Sequence, residues 1–306
     1  MSYKFTEKQK ADVIENWGNE IYAKILNDVD IYSEKWALHS IEFFEYYSIN
    51  AIFFCKSELH GDCVLKIGGS HQDKEFVGEY NVLREYDGRG YVKVFECDID
   101  IPARKKAMLI ERCIPGKMLS DEPSLEKRLA VFSELYKGLH IEPANPGIYA
   151  SYIQWIRDTA EECAHSTHDL KGLGAHIQRA KEIYLEMCKE YNKQMLLHID
   201  IFGANIVSVD GGYKIIDPKG VVGDPIFETG QFIFAECCED GLQPENAEII
   251  FEYLEKSLNI PDKILRQCFY IETVRFICDE GAARYGASQW DADMANFAGG
   301  VMNKGR

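Results

Sequence analysis

The sequence predicts an α+β protein in which a small antiparallel β-sheet lobe precedes a mainly helical lobe. Runs typical of β-strands concentrate between residues 41 and 111. Pro115-Gly116 interrupts the chain after the last of these runs, and helical periodicity dominates from about residue 125 onward. A chain of 306 residues is long enough for two lobes. We therefore place the N-terminal lobe at residues 1–112 and the C-terminal lobe at residues 113–306.

The N-terminal lobe is predicted to begin with a helix over about residues 6–38, because apolar residues recur there at spacings of three and four. A second helix is expected over about 72–87. The connections at 48–50 and 58–62 are short enough for hairpins, so the strands are expected to form a five-stranded antiparallel sheet. The predicted strands are 41–47, 51–56, 63–67, 91–97 and 107–111.

The C-terminal lobe is predicted to be helical except for one hairpin. Two strand-like runs, 205–209 and 213–216, flank Asp210-Gly211-Gly212, which favours a tight turn. The predicted helices are 125–140, 149–165, 173–192, 225–240, 244–257, 261–286 and 289–302.

Composition narrows the class of partner. The formal net charge of −16 disfavours nucleic-acid or anionic-membrane binding, because such partners need Lys and Arg to neutralise their phosphates. The negative net charge is compatible with a cationic ligand. The alternative is that the charge serves solubility alone. We find no signal-peptide core and no apolar stretch of membrane-spanning length, so a cytoplasmic protein is expected. The ten cysteines show no metal-site spacing and are expected to be reduced thiols.

The chemistry-bearing residues cluster in one segment, where His198-x-Asp200 is followed by Asn205, the hairpin and Asp217. In kinases, such an Asp contacts the attacking hydroxyl, and the Asn and the second Asp bind magnesium. Oxygen ligands suit that ion. The pattern predicts Asp200 and His198 as catalytic residues, with His198 bracing the loop, and Asn205 and Asp217 as metal ligands. A cap-and-turn network is the alternative.

This loop resembles the His-x-Asp-x-x-x-x-Asn loop of the aminoglycoside phosphotransferases. The stretch 216–220, Ile-Asp-Pro-Lys-Gly, with Gly223-Asp224 after it, is similar to that of the streptomycin and hydroxyurea phosphotransferase branch. The resemblance implies a protein-kinase-like bilobal fold, with a nucleotide-binding N-terminal lobe and a C-terminal lobe that carries the catalytic loop and the acceptor site. It also implies Mg²⁺ and ATP as cofactors, with GTP left open.

Nucleotide contacts are expected from the N-terminal lobe. Lys66 lies in Val64-Leu65-Lys66-Ile67, which has the form of the kinase strand whose lysine binds the α- and β-phosphates. Glu79 is the expected partner on the next helix, with Glu75 in reserve.

Further phosphate contacts are expected from Ser48 and the backbone of 48–50, unless this is a turn without a ligand. Residues 110–116 resemble the family's interlobe linker, which implies that the backbone of Glu111 and Cys113 receives the adenine edge.

In this family, carboxylates on the C-terminal helices hold the ammonium groups of the acceptor. Lys219 is expected near phosphate or substrate, or paired with an acidic neighbour such as Asp224. The sequence departs from the family at Ile199, where a glycine is usual. A β-branched residue there restricts the backbone beside Asp200, which leaves the acceptor undefined. The candidate acids, each of which could equally lie on a solvated helix face, are Glu236, Asp240, Asp279 and Glu280.

Three functions remain open at this point. One is an antibiotic kinase that phosphorylates a hydroxyl of an aminoglycoside or aminocyclitol. Another is a metabolic kinase of the same fold acting on an amino sugar, ketosamine, choline or homoserine. The last is a nucleotide-binding pseudokinase that serves as an interaction module. The expected partner is a cationic small molecule, with no nucleic acid or membrane, and the chain is expected to be a monomer or a homodimer.

Overall fold

The computed structural model describes residues 3–45, 49–69, 73–238 and 242–304. The chain divides into two compact units. The N-terminal unit comprises Met1–Gly116 and Ser208–Ile216, and the C-terminal unit comprises Lys117–Val207 and Asp217–Arg306. The first is built on a five-stranded antiparallel sheet and the second is mainly helical, which confirms the α+β class.

The sheet of the N-terminal unit has the strand order β1-β2-β3-β5-β4, and each neighbouring pair is antiparallel. Alternate residues of its strands join the apolar core, among them Phe53 and Cys55 on β2 and Leu65 and Ile67 on β3. The strands are β1 (Leu38–Phe43), β2 (Asn50–Ser57), β3 (Gly61–Gly68), β4 (Val94–Asp100) and β5 (Lys105–Glu111).

Helix α1 (Glu7–Lys35) covers the sheet. It begins with a capping box in which the Thr6 hydroxyl accepts from the Gln9 N–H and the Gln9 side chain accepts from the Thr6 N–H. Gly18 interrupts it with φ 84°, a conformation that glycine adopts without steric cost. Beyond this kink, buried side chains such as Ile25 and Val29 join the core formed with β2 and β3.

Helix α2 (Asp73–Tyr86) connects β3 to β4. The predicted strand at 91–97 begins only at Val94, because Tyr91 instead forms an isolated bridge with Ile215. After β5 come β6 (Pro115–Met118) and, later in the chain, the hairpin of β9 (Ile206–Val209) and β10 (Gly212–Ile215). This hairpin lies where Asp210-Gly211-Gly212 predicted it.

The C-terminal unit contains a small sheet in the order β7-β11-β8, with β7 and β11 parallel and β8 and β11 antiparallel. Its strands are β7 (Ala150–Ser151), β8 (Met195–Leu197) and β11 (Val221–Gly223). Its helices are α3 (Leu125–Leu139), α4 (Tyr152–His165), α5 (Leu173–Met187), α6 (Glu228–Cys238), α7 (Pro244–Leu258), α8 (Asp262–Ile277), α9 (Ala283–Tyr285) and α10 (Gln289–Met302).

Several predicted helices are shorter or divided in the structure. The helix expected over 261–286 ends as α8 at Ile277, and a π-helical turn, Cys278–Ala282, follows. Gly281 and Gly286, with φ 109° and 92°, explain the break, because helical periodicity alone does not register a positive φ. The helix expected over 173–192 ends at Met187.

Most of the ten cysteines are buried, and all are free thiols. Within the described ranges, no helix combines the length and the hydropathy that are needed to cross a membrane.

Candidate functional site

Lys66 and Glu79 form a buried ion pair in the N-terminal unit. Lys66 lies on β3 and Glu79 on α2, and the Lys66 Nζ atom is 2.8 Å and 2.7 Å from the two carboxylate oxygens. Only 4% and 6% of the two side chains are exposed. Glu75, the other candidate, lies one turn earlier and is half-buried. A buried lysine paired in this way keeps its charge and a fixed direction.

Glu111 closes strand β5, and its carboxylate joins two other segments of the N-terminal unit. It accepts from Lys214 Nζ on β10 at 2.7 and 2.5 Å, and from the Lys93 N–H at 3.0 Å. These bonds fix the end of β5, where the backbone was expected to bind adenine. Burial, and then the charge of Glu111, raise the pKa of the Cys113 thiol to about 11, so it is neutral near pH 7.

Strand pairing brings two predicted segments together in the C-terminal unit. Val221 on β11 lies opposite Leu197 on β8, so the loop after β8 and the stretch before β11 are neighbours. The Lys219 N–H donates to the His198 carbonyl at 3.1 Å. The His198–Asn205 loop and the 217–220 stretch, separated in sequence by a hairpin, therefore belong to one site.

Backbone hydrogen bonds fix the loop around Asp200. His198 is fully buried, and its Nδ1 accepts from the Asp200 N–H at 3.1 Å. The Asn205 amide donates from Nδ2 to the Asp200 carbonyl at 2.9 Å, which leaves the Asn205 Oδ1 atom available as a ligand. The Asp200 side chain is 25% exposed, so its carboxylate reaches solvent while its backbone is bound on both sides.

Ile199 adopts the left-handed conformation, with φ 60°, although it is β-branched and only 1% exposed. Such a residue stores on the order of 1–3 kcal/mol of backbone strain. Glycine, which is usual in the family, would adopt this conformation freely. Ile199 was expected to restrict the backbone beside Asp200. The structure shows a strained backbone at Ile199, which contacts with the surrounding residues must hold in place.

A buried carboxylate that the sequence analysis missed supports this strained residue. Glu228, at the start of α6, is fully buried and accepts from the Ile199 N–H at 2.8 Å and from His140 Nε2 at 2.5 Å. Burial favours a raised pKa, but the bond and charge of His140, the charge of His198 and the Ile199 N–H outweigh it, so the pKa of Glu228 is lowered. Glu228 is the only charged residue in the stretch 226–234, and that was the available signal.

Lys219 lies beside Asp200, with 3.7 Å between Nζ and the Asp200 Oδ2 atom. The acidic neighbour of Lys219 is thus Asp200 and not Asp224. The Asp224 carboxylate accepts from the backbone N–H groups of Lys193 and Ile226, at 2.9 and 3.1 Å, and so caps the turn that precedes α6.

Two candidate acids for the acceptor already have cationic partners. Glu236 forms a bidentate pair with Arg128, at 2.7–3.0 Å. Asp279 accepts from Arg275 at 2.5 Å and from the Thr159 hydroxyl at 3.0 Å. Binding a cationic acceptor at either carboxylate would therefore compete with an arginine.

The charge of Asp200 also contributes to the pKa of Arg275. Burial lowers the pKa of Arg275, but the carboxylates of Glu272, Asp279 and Asp200 outweigh it, so that pKa is raised.

Ser48 and Asp240 lie outside the described residues, as does the side chain of Glu280.

The donor set fits a magnesium ion of the kinase type. Asn205 and Asp217 offer an amide and a carboxylate oxygen, and such ions keep several waters and substrate oxygens besides one or two protein ligands. Among the described residues, no group of three His, Cys, Asp or Glu side chains is arranged for a metal.

Comparisons with known proteins identify a family and a fold. A family model described as "Aminoglycoside/hydroxyurea antibiotic resistance kinase" matches residues 58–279. A search among curated proteins finds no match.

Solved structures similar to this chain include the choline kinase LicA from Streptococcus pneumoniae, with a TM-score of 0.64, 14% identity and coverage of 91% of this chain and 99% of that one. A choline kinase from Cryptosporidium parvum Iowa II has a TM-score of 0.65, 13% identity and coverages of 89% and 90%. A thermostable mutant of aminoglycoside phosphotransferase APH(4)-Ia, in a ternary complex with ADP and hygromycin B, has a TM-score of 0.60, 15% identity and coverages of 90% and 96%. The likeness confirms the protein-kinase-like fold.

Proposed function

The chain belongs to the aminoglycoside/hydroxyurea antibiotic resistance kinase family and is a small-molecule phosphotransferase; we propose that it transfers the γ-phosphate of ATP to a hydroxyl of an aminoglycoside or aminocyclitol-like antibiotic. The observation that carries this proposal is the loop geometry. Asp200 presents a partly exposed carboxylate on a backbone fixed by His198 and Asn205. That is what an acid that orients an attacking hydroxyl requires.

Asp200 accepts a hydrogen bond from the acceptor hydroxyl and takes its proton as the oxygen attacks phosphorus. His198 contributes by position, because its Nδ1 is already occupied by the Asp200 N–H. Lys219, 3.7 Å from Asp200, supplies positive charge near the transferring group.

Asn205 and Asp217 would hold magnesium through oxygen atoms, and the ion would supply positive charge against the phosphate oxygens. Lys66, oriented by Glu79, binds the α- and β-phosphates. The backbone of Glu111 and Cys113 receives the adenine edge, on a strand end that Lys214 fixes.

A panel assay tests the proposal. ADP release is measured with Mg-ATP against aminoglycosides and aminocyclitols, and in parallel against amino sugars, ketosamines, choline and homoserine. We expect turnover with the antibiotic group. Selective turnover of the metabolic group would instead identify a metabolic kinase of the same fold, and no turnover with binding of Mg-ATP would indicate a pseudokinase.

Asp200→Asn tests the role of the carboxylate within the same assay. It should reduce kcat by about 10²-fold or more, since a general base contributes roughly 10²–10⁴-fold, and leave the Kd for ATP nearly unchanged. The matched control is Asp158→Asn, at an exposed residue of α4 whose carboxylate accepts from the Gln154 amide one turn earlier. Full activity of Asp200→Asn would refute the assignment.

A further inference from the structure

A polar pocket of about 290 Å³ lies among helices α5, α8 and α10 of the C-terminal unit. Its lining includes His176 and Arg179 from α5, Asn296 from α10, and Asn303, the residue that caps the C-terminal end of α10. Among the described residues that line it, none is acidic, although the chain carries 50 Asp and Glu residues. The proposed reaction uses none of these side chains.

Glycines create the space. Gly299 and Gly300 form part of the pocket wall within α10, where most residues would project a side chain. A Cβ atom at Gly299 would lie 3.5 Å from the His176 ring, and one at Gly300 would meet nothing within 4 Å. A methyl group at either position would therefore fit, whereas a larger side chain at Gly300 would extend into the pocket.

Hydrogen bonds join the polar side chains of the pocket in pairs and leave the NH₂ groups of both asparagines unused. Arg179 donates from Nη2 to the Asn303 Oδ1 atom at 3.0 Å, and His176 Nε2 lies 3.3 Å from the Asn296 Oδ1 atom. Both amide oxygens are thus engaged, and both amide NH₂ groups remain as donors. The other ring nitrogen of His176 is 2.9 Å from the Tyr270 hydroxyl, which fixes the ring.

Arg179 supplies the charge. In the described part of the chain, it forms no ion pair with a carboxylate, and its hydrogen bond goes to the neutral amide of Asn303. A guanidinium carries five N–H donors, so most of its hydrogen-bonding capacity is unused here. The pocket therefore offers a cation and two amide donors to a ligand rich in acceptor oxygens.

We propose that this pocket binds a phosphate group, either as inorganic phosphate or as part of a small phosphate ester. A tetrahedral anion takes hydrogen bonds from several directions, and here they come from side chains on two helices. The guanidinium fork matches phosphate oxygens, and the volume admits a small ester. None of the residues that line the pocket is among the proposed nucleotide or acceptor contacts.

Equilibrium dialysis with labelled inorganic phosphate at constant ionic strength tests this site. Arg179→Gln should weaken binding by about 10-fold or more, which corresponds to the loss of a charge-assisted hydrogen bond. Gly300→Leu should do the same by filling the pocket without a change of charge.

The matched controls are Arg157→Gln, an exposed arginine of α4, and Gly300→Ala, and both should bind as the wild type does. All four variants retain the proposed nucleotide contacts, and thermal melting verifies that each is folded. Equal phosphate affinity in Arg179→Gln and Arg157→Gln would overturn the proposal, as would unsaturable binding to the wild type.

A second arm identifies the source of the phosphate group. If glycerol 3-phosphate binds more tightly than inorganic phosphate, and if this difference disappears in Gly300→Leu, the natural ligand is a phosphate ester. Tighter binding of inorganic phosphate assigns it to the free ion. Because the assay reads binding without turnover, its outcome does not depend on the kinase proposal.

Discussion

Replacement of Glu228 should destabilise the protein more than replacement of an exposed acid would, because its carboxylate is fully buried and has two donors. In Glu228→Ala, the Ile199 N–H loses its acceptor, which costs about 1–3 kcal/mol for an unsatisfied buried group. His140, with 8% of its side chain exposed, loses a charge-assisted bond worth about 1.5–3 kcal/mol. Together these give about 2.5–6 kcal/mol, which brackets the roughly 3–5 kcal/mol typical of breaking a buried pair.

Glu228→Gln should fall between Glu228→Ala and the wild type. Its amide oxygen still accepts from the Ile199 N–H, so the main loss is the charge-assisted bond to His140, about 1.5–3 kcal/mol. Glu182→Gln, on the exposed face of α5, is the matched control and should stay within about 0.5 kcal/mol.

Urea unfolding at pH 7, followed by circular dichroism, measures the free energy of unfolding of each variant. A folded domain with about 5–15 kcal/mol of stability should survive the alanine replacement. If Glu228→Ala lies within about 1 kcal/mol of the wild type, the buried pair does not hold the loop in place. Under the proposed function, kcat should also fall in both variants, because Ile199 precedes Asp200.

Two further predictions concern other contacts, and a third concerns the pH dependence of Glu228. Lys66→Met should abolish detectable turnover and cost about 3–5 kcal/mol, because Glu79 is left as an unpaired buried charge; kinetics and urea unfolding measure the two effects. Thr6→Ala removes the acceptor for the Gln9 N–H and should cost about 1 kcal/mol in the same unfolding assay. The pKa of Glu228 is lowered on folding, so its stabilisation is complete above its ordinary value of 4.5 and is lost as pH falls below it; the difference between wild type and Glu228→Gln should shrink there.

The sequence predicts the parts of this fold that depend on local pattern. The hairpin of β9 and β10 follows from Asp210-Gly211-Gly212, because the turn type needs positive φ at its centre. The five-stranded sheet follows from alternation and short connections. The end of α8 at Ile277 does not follow, because the π-helical turn and the positive φ of Gly281 are set by packing and not by periodicity.

The residues of the candidate site likewise include some that follow from a local motif and others that depend on the tertiary fold. Asp200, Asn205 and Asp217 lie at fixed spacings in one motif, so the sequence alone is enough to propose them as site residues. Glu228 and Lys214 cannot be named in this way, since each meets its partner only through the tertiary fold: Glu228 reaches His140 across 88 positions, and Lys214 reaches Glu111 across 103. A lone charge in an apolar run shows that a partner exists and not which residue it is.

The strained backbone of Ile199 and the buried carboxylate of Glu228 are connected by a hydrogen bond. A β-branched residue at φ 60° would relax if its N–H were free to turn, and the Glu228 carboxylate prevents that by accepting from it. Glycine at this position would adopt the same conformation without strain, at the cost of greater freedom in the unfolded chain. The isoleucine adds a buried apolar side chain beside Asp200, which partly offsets the strain. The orientation of Asp200 therefore depends on a residue 28 positions later in the sequence more than on the loop's own propensity.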